Sequence, residues 1–374
     1  MRINYITNVR IPTSRAQGYA IMKMCEEFAK RGEEVHLIIP KRRSNVENTN
    51  PFSYYGIEPV FKIKRIFGFD FLGMSESFGK LSFWLDTFFF LFLTRVKGLM
   101  GKGSIIYTRD YTLSLLVPSK TFLSLELHDV PGPKYLFRRA VKRANIIFVL
   151  NSYIKEELLK LGIQEEKIFI EASGVDIERF NIKANKSEVK KKLGLPLDKK
   201  IVMYIGLLDK WKGVETLLKA SKFLEDAQVV IIGEGSELTR FKKEYPKVIY
   251  KGSLPYRDLP FNQQGADVLV APNSKGSNIS NLYTSPLKVI AYMTSGIPIV
   301  ASDLPSIREV LNENNAYLVE PDNPEKLASV IQKALDEDNS EMTKKALEDV
   351  QKYSWKKRVE RIMSVIRGHV NDGK

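Results

Sequence analysis

The segment from Ser285 to Asp303 joins a possible anion-binding helix start to a short strand. Ser285 and Pro286 suit a first helical turn, because serine caps free amides and proline needs no hydrogen-bond partner there. The free amides and the positive end of the helix dipole attract an anion, and Lys288 adds a full charge. Taken alone, this segment fits an ordinary helix–strand unit better than a site, so its surroundings must decide.

Glycine-containing segments precede it in a regular order, each where a strand is predicted to end. These segments are Gly206–Gly213, which contains Leu207 and Lys212, then Gly233–Gly235, and then Gly252. Glycine lets the backbone approach a phosphate or ribose closely, although one Gly-x-Gly is weak support. Lys212 is either a solvated lysine at a helix start, where the dipole opposes its charge, or a phosphate ligand. The ordered set favours the ligand.

The first half of the chain contributes a histidine and two arginines at predicted strand ends. His128 follows a predicted strand and is either functional or a buried histidine satisfied by Asp129 or a carbonyl. Arg109 could bind a phosphate of an acceptor bidentately, or pair with Asp110. The same two interpretations apply to Arg15, on a loop after the first strand.

Composition excludes several classes of site. At 374 residues, with 44% apolar and 27% charged residues, the chain is expected to fold as two soluble domains. One cysteine and three histidines make a disulfide or a metal cluster unexpected, and no Asp-x-Asp motif follows a strand. The chain enters a strand at Ile3 without a signal-peptide pattern, which predicts a cytoplasmic location.

The net charge of +14 is uneven. Residues 1–150 hold 23 Lys/Arg against 12 Asp/Glu, whereas residues 201–374 hold 24 against 23. This excess predicts an anionic partner for the first half, and a membrane surface or a phosphorylated acceptor is favoured over nucleic acid. The apolar run Leu81–Val96 is too short to span a bilayer, so we expect a buried core helix, with an interfacial helix as the alternative.

Alternating strands and helices predict an α/β protein with two doubly wound, Rossmann-like domains facing a cleft. Strands are predicted at Ile3–Thr7, Glu34–Ile39, Ser104–Thr108, Thr121–Leu127, Asn145–Leu150, Ile201–Ile205, Gln228–Ile232, Val248–Lys251, Val268–Ala271 and Ile299–Ala301. Helices are predicted at Gln17–Arg31, Tyr135–Ala144, Ser152–Leu161, Gly213–Phe223, Glu237–Glu244, Leu287–Thr294 and Trp355–His369. A lysine-rich link, Lys183–Lys200, is expected to separate a first domain, 1–182, from a second, 195–354.

Over nearly its whole length the chain resembles the retaining glycosyltransferases of family 4, which have the GT-B fold. Besides the segments above, the resemblance rests on Pro12–Gly18 (PTSRAQG), Glu126–Asp129 (ELHD) and Gly174–Phe180 (GVDIERF). It implies an acceptor-binding first domain, a second domain that binds a nucleotide sugar, and a last helix, within 355–374, that crosses back to the first domain.

The resemblance also implies roles for individual residues. His128 would contact the donor sugar and Lys212 the diphosphate, so both are candidate catalytic residues. The implied donor-binding residues are Gly206, Leu207, Lys212, Gly233, Gly235, Ser285, Pro286, Leu287, Lys288 and Ala291. The implied acceptor-binding residues are Arg15, Gly18 and Arg109. Neither a metal nor a cofactor is expected, since lysine and amides would neutralise the diphosphate.

Three positions depart from the family pattern. Leu207 replaces a common arginine, and Tyr283 and Ala291 replace two glutamates, of which the second holds the ribose hydroxyls in the family. These departures fit three interpretations: a subgroup that binds ribose more weakly, a substitution made to trap a complex, or a family member that is catalytically silent. The predicted function is retaining transfer of a sugar from a nucleoside diphosphate to a lipid-linked or glycan acceptor, with the inner face of the membrane as one expected location. The alternatives are a nucleotide-sugar-binding protein without turnover and, from charge alone, a nucleic-acid-associated protein.

Overall fold

The computed structural model describes residues 1–13, 16–41, 49–67, 79–101, 103–131, 134–180, 182, 184–277, 281–282 and 287–372. The chain divides into two compact units. The N-terminal unit comprises Met1–Ala172 with Trp355–Lys374, and the C-terminal unit comprises Ser173–Ser354.

Each unit is built on one parallel sheet. The strands are β1 Arg2–Ile6, β2 Glu34–Lys41, β3 Lys62–Phe67, β4 Ser104–Thr108, β5 Phe122–Leu127, β6 Ile146–Val149, β7 Ile168–Ile170, β8 Lys200–Ile205, β9 Ala227–Ile232, β10 Ile249–Tyr250, β11 Val268–Ala271, β12 Ile299–Ser302 and β13 Tyr317–Val319. The N-terminal sheet has the order β3-β2-β1-β4-β5-β6-β7, and the C-terminal sheet has the order β10-β9-β8-β11-β12-β13. Their central strands are apolar and buried, as parallel strands covered on both faces must be.

The helices cover the sheets. They are α1 Ala16–Lys30, α2 Pro51–Tyr55, α3 Gly79–Val96, α4 Lys134–Val141, α5 Ser152–Lys160, α6 Ile177–Phe180, α7 Lys186–Leu193, α8 Val214–Ala220, α9 Leu238–Glu244, α10 Leu259–Gln263, α11 Leu287–Met293, α12 Pro305–Arg308, α13 Pro324–Asp336, α14 Ser340–Asp349 and α15 Trp355–Asp372. The last helix, α15, packs against α1 of the N-terminal unit.

The predicted fold class is confirmed: the chain has two Rossmann-like α/β domains with parallel sheets. Strands β3, β7 and β13 were not predicted, and all three lie at sheet edges. Edge strands are short or carry polar residues, so they lack the apolar run that marks a central strand.

The expected domain boundary is displaced. The C-terminal unit already begins at Ser173, because the Val175 amide donates to the carbonyl oxygen of Tyr353 at 2.9 Å. The expected link Lys183–Lys200 is not a bare linker either. It contains α7, whose start is capped by Asn185. In this helix, Nζ of Lys190 lies 3.5 Å from Oδ2 of Asp267. This segment is therefore part of the C-terminal unit.

Helix α3 corrects the expectation of a buried core helix. Asp86, Phe90 and Leu91 are buried, but Leu85, Phe88, Phe92 and Val96 are exposed. Phe88 and Phe92 are 62% and 47% exposed, and their rings stack with centroids 6.4 Å apart. The exposed residues recur at helical spacing, so they form one apolar stripe. No helix in the described part of the chain is long and apolar enough to cross a membrane.

In both sheets the strand order reverses beside a central pair, β1–β4 and β8–β11. Ligands of open α/β sheets bind outside the carboxyl ends of the strands at such a reversal. By this rule, a ligand of the C-terminal unit is expected at the loops after β8 and β11. A ligand of the N-terminal unit is expected at the loops after β1, β4 and the neighbouring β5.

Candidate functional site

In the C-terminal unit, the loops after β8, β9 and β10 run side by side and are joined by backbone hydrogen bonds. The Gly206 amide donates to Ile232, and the Gly233 amide donates to Gly252. A Cβ at Gly233 would overlap the Gly206 carbonyl, and one at Gly235 would lie 2.7 Å from the Leu208 backbone. These glycines were predicted to approach a phosphate or ribose. Whatever they bind, the structure requires them for the loops to approach one another.

Lys288, in the first turn of α11, reaches the end of β8. Its Nζ lies 3.9 Å from the centroid of the Tyr204 ring, and a Cβ at Gly206 would be 2.9 Å from it. This Nζ is buried, and it has no hydrogen-bond partner among the described residues. Burial, followed by the charge of Lys212, holds the pKa of Lys288 well below its ordinary value. A buried cation without an acceptor is costly, and a bound anion would remove that cost.

Lys212 is the second cation of this group. It lies in a short turn after β8, with its Nζ 3.6 Å from the centroid of the Trp211 ring. Burial lowers the pKa of Lys212 to about 8, and the opposing effect of Asp209 is smaller. Gly213, the next residue, has a φ of 66°, and a Cβ there would overlap the carbonyl oxygen of Pro272. The turn that carries Lys212 therefore packs against the loop after β11.

The other predicted donor-binding residues differ in accessibility. Leu207 is exposed, Leu287 is half-buried, and Ala291 is buried at 3% exposure. The hydroxyl of Tyr292 accepts a hydrogen bond from the Ile205 amide at 2.8 Å, which fixes α11 against the end of β8. Ser285, Pro286 and Tyr283 lie outside the described residues.

In the N-terminal unit, the carboxylate of Glu126 gathers several donors. Its Oε1 accepts from His128 Nε2 at 2.7 Å and from Arg109 Nη2 at 2.9 Å. Arg358 Nη2, from α15, lies 3.1 Å from the same oxygen, and the hydroxyl of Tyr107 donates to Oε2. Strand β5 ends at Leu127, so Glu126 and His128 are two residues apart along an extended chain and lie on the same side of it.

Protonation in this cluster follows from burial and charge. Burial would raise the pKa of Glu126, but Arg109 and Arg358 outweigh it and hold that pKa well below the ordinary value. The pKa of His128 is lowered by burial and by Arg109, against the opposing effect of Glu126. An ionised carboxylate therefore faces an imidazole that is neutral at pH 7, and the imidazole is 38% exposed.

Two expectations for these side chains are corrected. His128 is satisfied by Glu126, not by Asp129 or a carbonyl. Arg109 pairs with Glu126 instead of Asp110, because Asp110 caps the following turn by accepting from the Thr112 amide and hydroxyl. Glu126 belongs to the ELHD motif, but no role was predicted for it. Its two-residue spacing from His128 was the available signal, whereas Arg358 offered none.

Gly18, the remaining residue predicted to bind the acceptor, must be glycine for a structural reason. A Cβ at Gly18 would overlap the hydroxyl of Tyr55 and lie 2.6 Å from Thr13 Cγ2. That hydroxyl accepts from the Thr13 amide at 2.7 Å and donates to the Thr13 carbonyl at 2.8 Å. Gly18 thus makes room for the contact that shapes the loop after β1. Arg15, on the same loop, lies outside the described residues.

Metal binding has no visible basis in the described ranges, where three or more His, Cys, Asp or Glu residues do not cluster as metal ligands would. Neutralisation of a bound anion would depend on Lys212, Lys288 and backbone amides.

Comparison with known proteins agrees with this geometry. Residues 185–354 match the family model of glycosyl transferases group 1. A GDP-mannose-dependent alpha-mannosyltransferase of Corynebacterium glutamicum is 30% identical over 203 residues, which are 54% of this chain and 47% of that protein. The chain covers about half to two thirds of the length of the curated relatives it matches first.

Solved structures resemble the whole chain. Anabaena HepE in complex with UDP aligns with a TM-score of 0.76 at 14% identity, covering 98% of this chain and 100% of HepE. HepE has also been solved with UDP-glucose. Sucrose-phosphate synthase of Thermosynechococcus elongatus aligns with a TM-score of 0.78 at 17% identity, covering 99% of each chain. The chain has the GT-B fold of these structures, and the part of its C-terminal unit at residues 185–354 is similar to the glycosyl transferases group 1.

Proposed function

We propose that this protein is a glycosyltransferase that moves a sugar from a nucleoside diphosphate to an acceptor with retention of configuration. The observation that carries the proposal is Lys288, whose buried Nζ lacks a hydrogen-bond partner among the described residues and lies near a second lysine, Lys212. Among the described residues neither lysine forms a salt bridge with a carboxylate, so this pair at the end of β8 suits an anion of more than one charge. A diphosphate meets that need.

The same two lysines suit the chemistry of transfer. As the bond between the sugar and the diphosphate breaks, negative charge grows on the leaving phosphate oxygens. Cations fixed beforehand by Tyr204 and Trp211 stabilise that charge without reorganisation, and more strongly in the transition state than in the ground state. Lys212 and Lys288 therefore favour departure of the nucleoside diphosphate as well as its binding.

The N-terminal unit is proposed to bind the acceptor and to present His128 to the donor sugar. The family resemblance supports this assignment, and so does the position of His128 at the carboxyl end of a strand near the reversal of strand order. A neutral imidazole can donate or accept a hydrogen bond at the sugar without adding a charge. Retention of configuration rests on the resemblance alone.

The acceptor is proposed to be lipid-linked and reached from an anionic membrane surface. Helix α3 exposes an apolar stripe formed by Leu85, Phe88, Phe92 and Val96, with Arg95 and Lys97 exposed beside it. The first 150 residues carry an excess of 11 positive charges, as 23 basic against 12 acidic residues. An apolar face flanked by cations is the pattern of an interfacial helix that lies in the headgroup region.

A nucleotide-sugar-binding protein without turnover is the second candidate, because Ala291 stands where the family has a ribose-binding glutamate. Alanine cannot accept hydrogen bonds from ribose hydroxyls. Binding with no turnover would favour this candidate, whereas turnover would exclude it.

The deciding experiment measures binding and product release with defined nucleotides. UDP, GDP, UDP-glucose and GDP-mannose are suitable probes, given the ligands of HepE and the name of the mannosyltransferase relative. We expect at least one of them to raise the melting temperature, because a ligand of the native state stabilises it by mass action. Sugar release in the absence of acceptor, followed by proton NMR at early times, reports the anomeric configuration. A melting temperature unchanged by every nucleoside diphosphate at millimolar concentration would overturn the proposal.

A further inference from the structure

The carboxylate of Glu126 lies at the centre of a buried polar cluster in the N-terminal unit. Glu126 is 1% exposed, and the groups that face it come from three places in the chain. Tyr107 and Arg109 come from β4 and its end, His128 from the end of β5, and Arg358 from α15. One carboxylate thus collects two guanidinium groups, a phenol and an imidazole.

This arrangement restricts the imidazole of His128. A carboxylate that is ionised can only accept a hydrogen bond, so the nitrogen facing it must carry the proton. That nitrogen is Nε2, 2.7 Å from Glu126 Oε1. In the neutral ring the other nitrogen, Nδ1, is then the acceptor, and it has no hydrogen-bond partner among the described residues.

Arg358 also contacts this carboxylate, with its Nη2 3.1 Å from Glu126 Oε1. It is 1% exposed, its Nε donates to the Ala172 carbonyl at 2.8 Å, and its Nη1 lies 2.8 Å from the sulfur of Met24. These contacts to Ala172 and to Met24 of α1 hold the guanidinium of α15 beside the carboxylate of Glu126. The C-terminal helix therefore reaches the side chain that orients His128.

We propose that Glu126, held by Arg358 and Arg109, is a positioning residue that locks His128 as the Nε2–H tautomer and leaves Nδ1 as the acceptor toward the substrate. The role for Nδ1 rests on the proposed function, in which His128 meets the donor sugar. The tautomer and its cause do not, because they follow from contacts within the N-terminal unit.

The cluster predicts how His128 responds to the loss of this carboxylate. Burial opposes protonation of His128, as do Arg109 and Arg358, and Glu126 is the group that favours it. In Glu126→Gln the two guanidinium groups stay unopposed, so the pKa of His128 must fall and its tautomer lock must loosen. A residue that served only to pack the core would change the melting temperature without moving either quantity.

The test is NMR of the full-length protein labelled with ¹⁵N in its three histidines, His36, His128 and His369. Substitution of His36 and His369 assigns the His128 ring, whose nitrogen shifts distinguish the tautomers. The wild type should show Nε2–H at neutral pH. In Glu126→Gln we expect a titration displaced to lower pH.

Glu171→Gln is the matched control. Glu171 is also buried and pairs bidentately with Arg361 of α15, at 2.9 Å to both Nε and Nη2, without contacting His128. It should lower the melting temperature without altering the His128 spectrum. An Nδ1–H ring in the wild type, or a His128 titration that Glu126→Gln leaves unmoved, would overturn the inference. The tautomer of the wild type decides the matter even where Glu126→Gln does not fold.

Binding of UDP and GDP, measured separately, tests the lysines of the C-terminal unit. A protein that binds no nucleoside diphosphate but shows the Nε2–H ring would refute the proposed function and with it the role of Nδ1 toward the substrate. The tautomer of His128 and its control by Glu126 would still stand.

Discussion

Replacing Lys212 by alanine is expected to weaken the binding of a nucleoside diphosphate while the fold persists. Lys212 Nζ lies over the Trp211 ring, and the side chain is half-buried with no carboxylate within salt-bridge distance among the described residues. At an effective dielectric constant of about 20, two unit charges 4 Å apart attract by roughly 4 kcal/mol. Desolvation of the phosphate reduces this, so the net loss should be about 1.5–3 kcal/mol. Affinity should therefore fall roughly 10- to 150-fold.

The pH dependence gives an independent check. The pKa of Lys212 is lowered to about 8 in the free protein, which means that its charged form is disfavoured until an anion arrives. A bound diphosphate raises that pKa again, so affinity is highest below pH 8 and falls as the pH rises through it. Between pH 7 and pH 9 the protonated fraction of such a group drops about tenfold, and wild-type affinity should follow. Lys212→Ala should lack this step.

Isothermal titration calorimetry with the tightest-binding nucleoside diphosphate from the probe set, at pH 7 and pH 9, measures both effects. Lys210→Ala is the matched control, since Lys210 lies two residues away on the same turn and is exposed. We expect Lys210→Ala to change affinity by less than about threefold, as surface charges contribute little. Equal affinities of wild type and Lys212→Ala would remove Lys212 from the site. An equal loss in both variants would mean that the net charge of the loop, not a contact, attracts the nucleotide.

Three further outcomes follow from the structure. Gly213→Ala should lower the free energy of unfolding in urea by more than Gly252→Ala. Both glycines have a positive φ, which costs an alanine about 1–2 kcal/mol, but only a Cβ at Gly213 also overlaps a backbone oxygen. Equal losses in the two variants would contradict this. Replacing both Phe88 and Phe92 by serine should weaken binding to anionic liposomes, measured by sedimentation, at least about tenfold. The reason is that each ring, when it is buried in the membrane, contributes roughly 1.5–3 kcal/mol. Binding of the wild type should fall with added salt, and its absence at low salt would refute the membrane proposal. Ala291→Glu should tighten nucleotide binding if ribose lies beside α11, whereas unchanged affinity with a lower melting temperature would show that this buried position serves packing.

Much of the fold could be predicted from local patterns. The central strands carry uninterrupted apolar runs such as Ile201–Ile205, which is buried for most of its length within β8, and glycines follow them where the chain must turn sharply. Edge strands were not predicted, because a strand that faces solvent on one side needs fewer apolar residues and lacks a continuous apolar run. The domain boundary was misplaced for another reason: Val175 pairs with Tyr353, and a contact between such distant positions leaves no local trace.

The features of the candidate site likewise fall into those that local sequence predicts and those that tertiary packing decides. The sequence by itself determined that Lys212 and His128 would stand at strand ends and Lys288 at a helix start, because glycine turns and helix starts are encoded in a few adjacent residues. Only the tertiary structure decided that Lys288 would be buried without an acceptor among the described residues and that Arg358 would meet Glu126. It also decided which face of α3 would be exposed. Burial and charge pairing depend on which elements pack together, and they set the pKa of each group only once that packing is made.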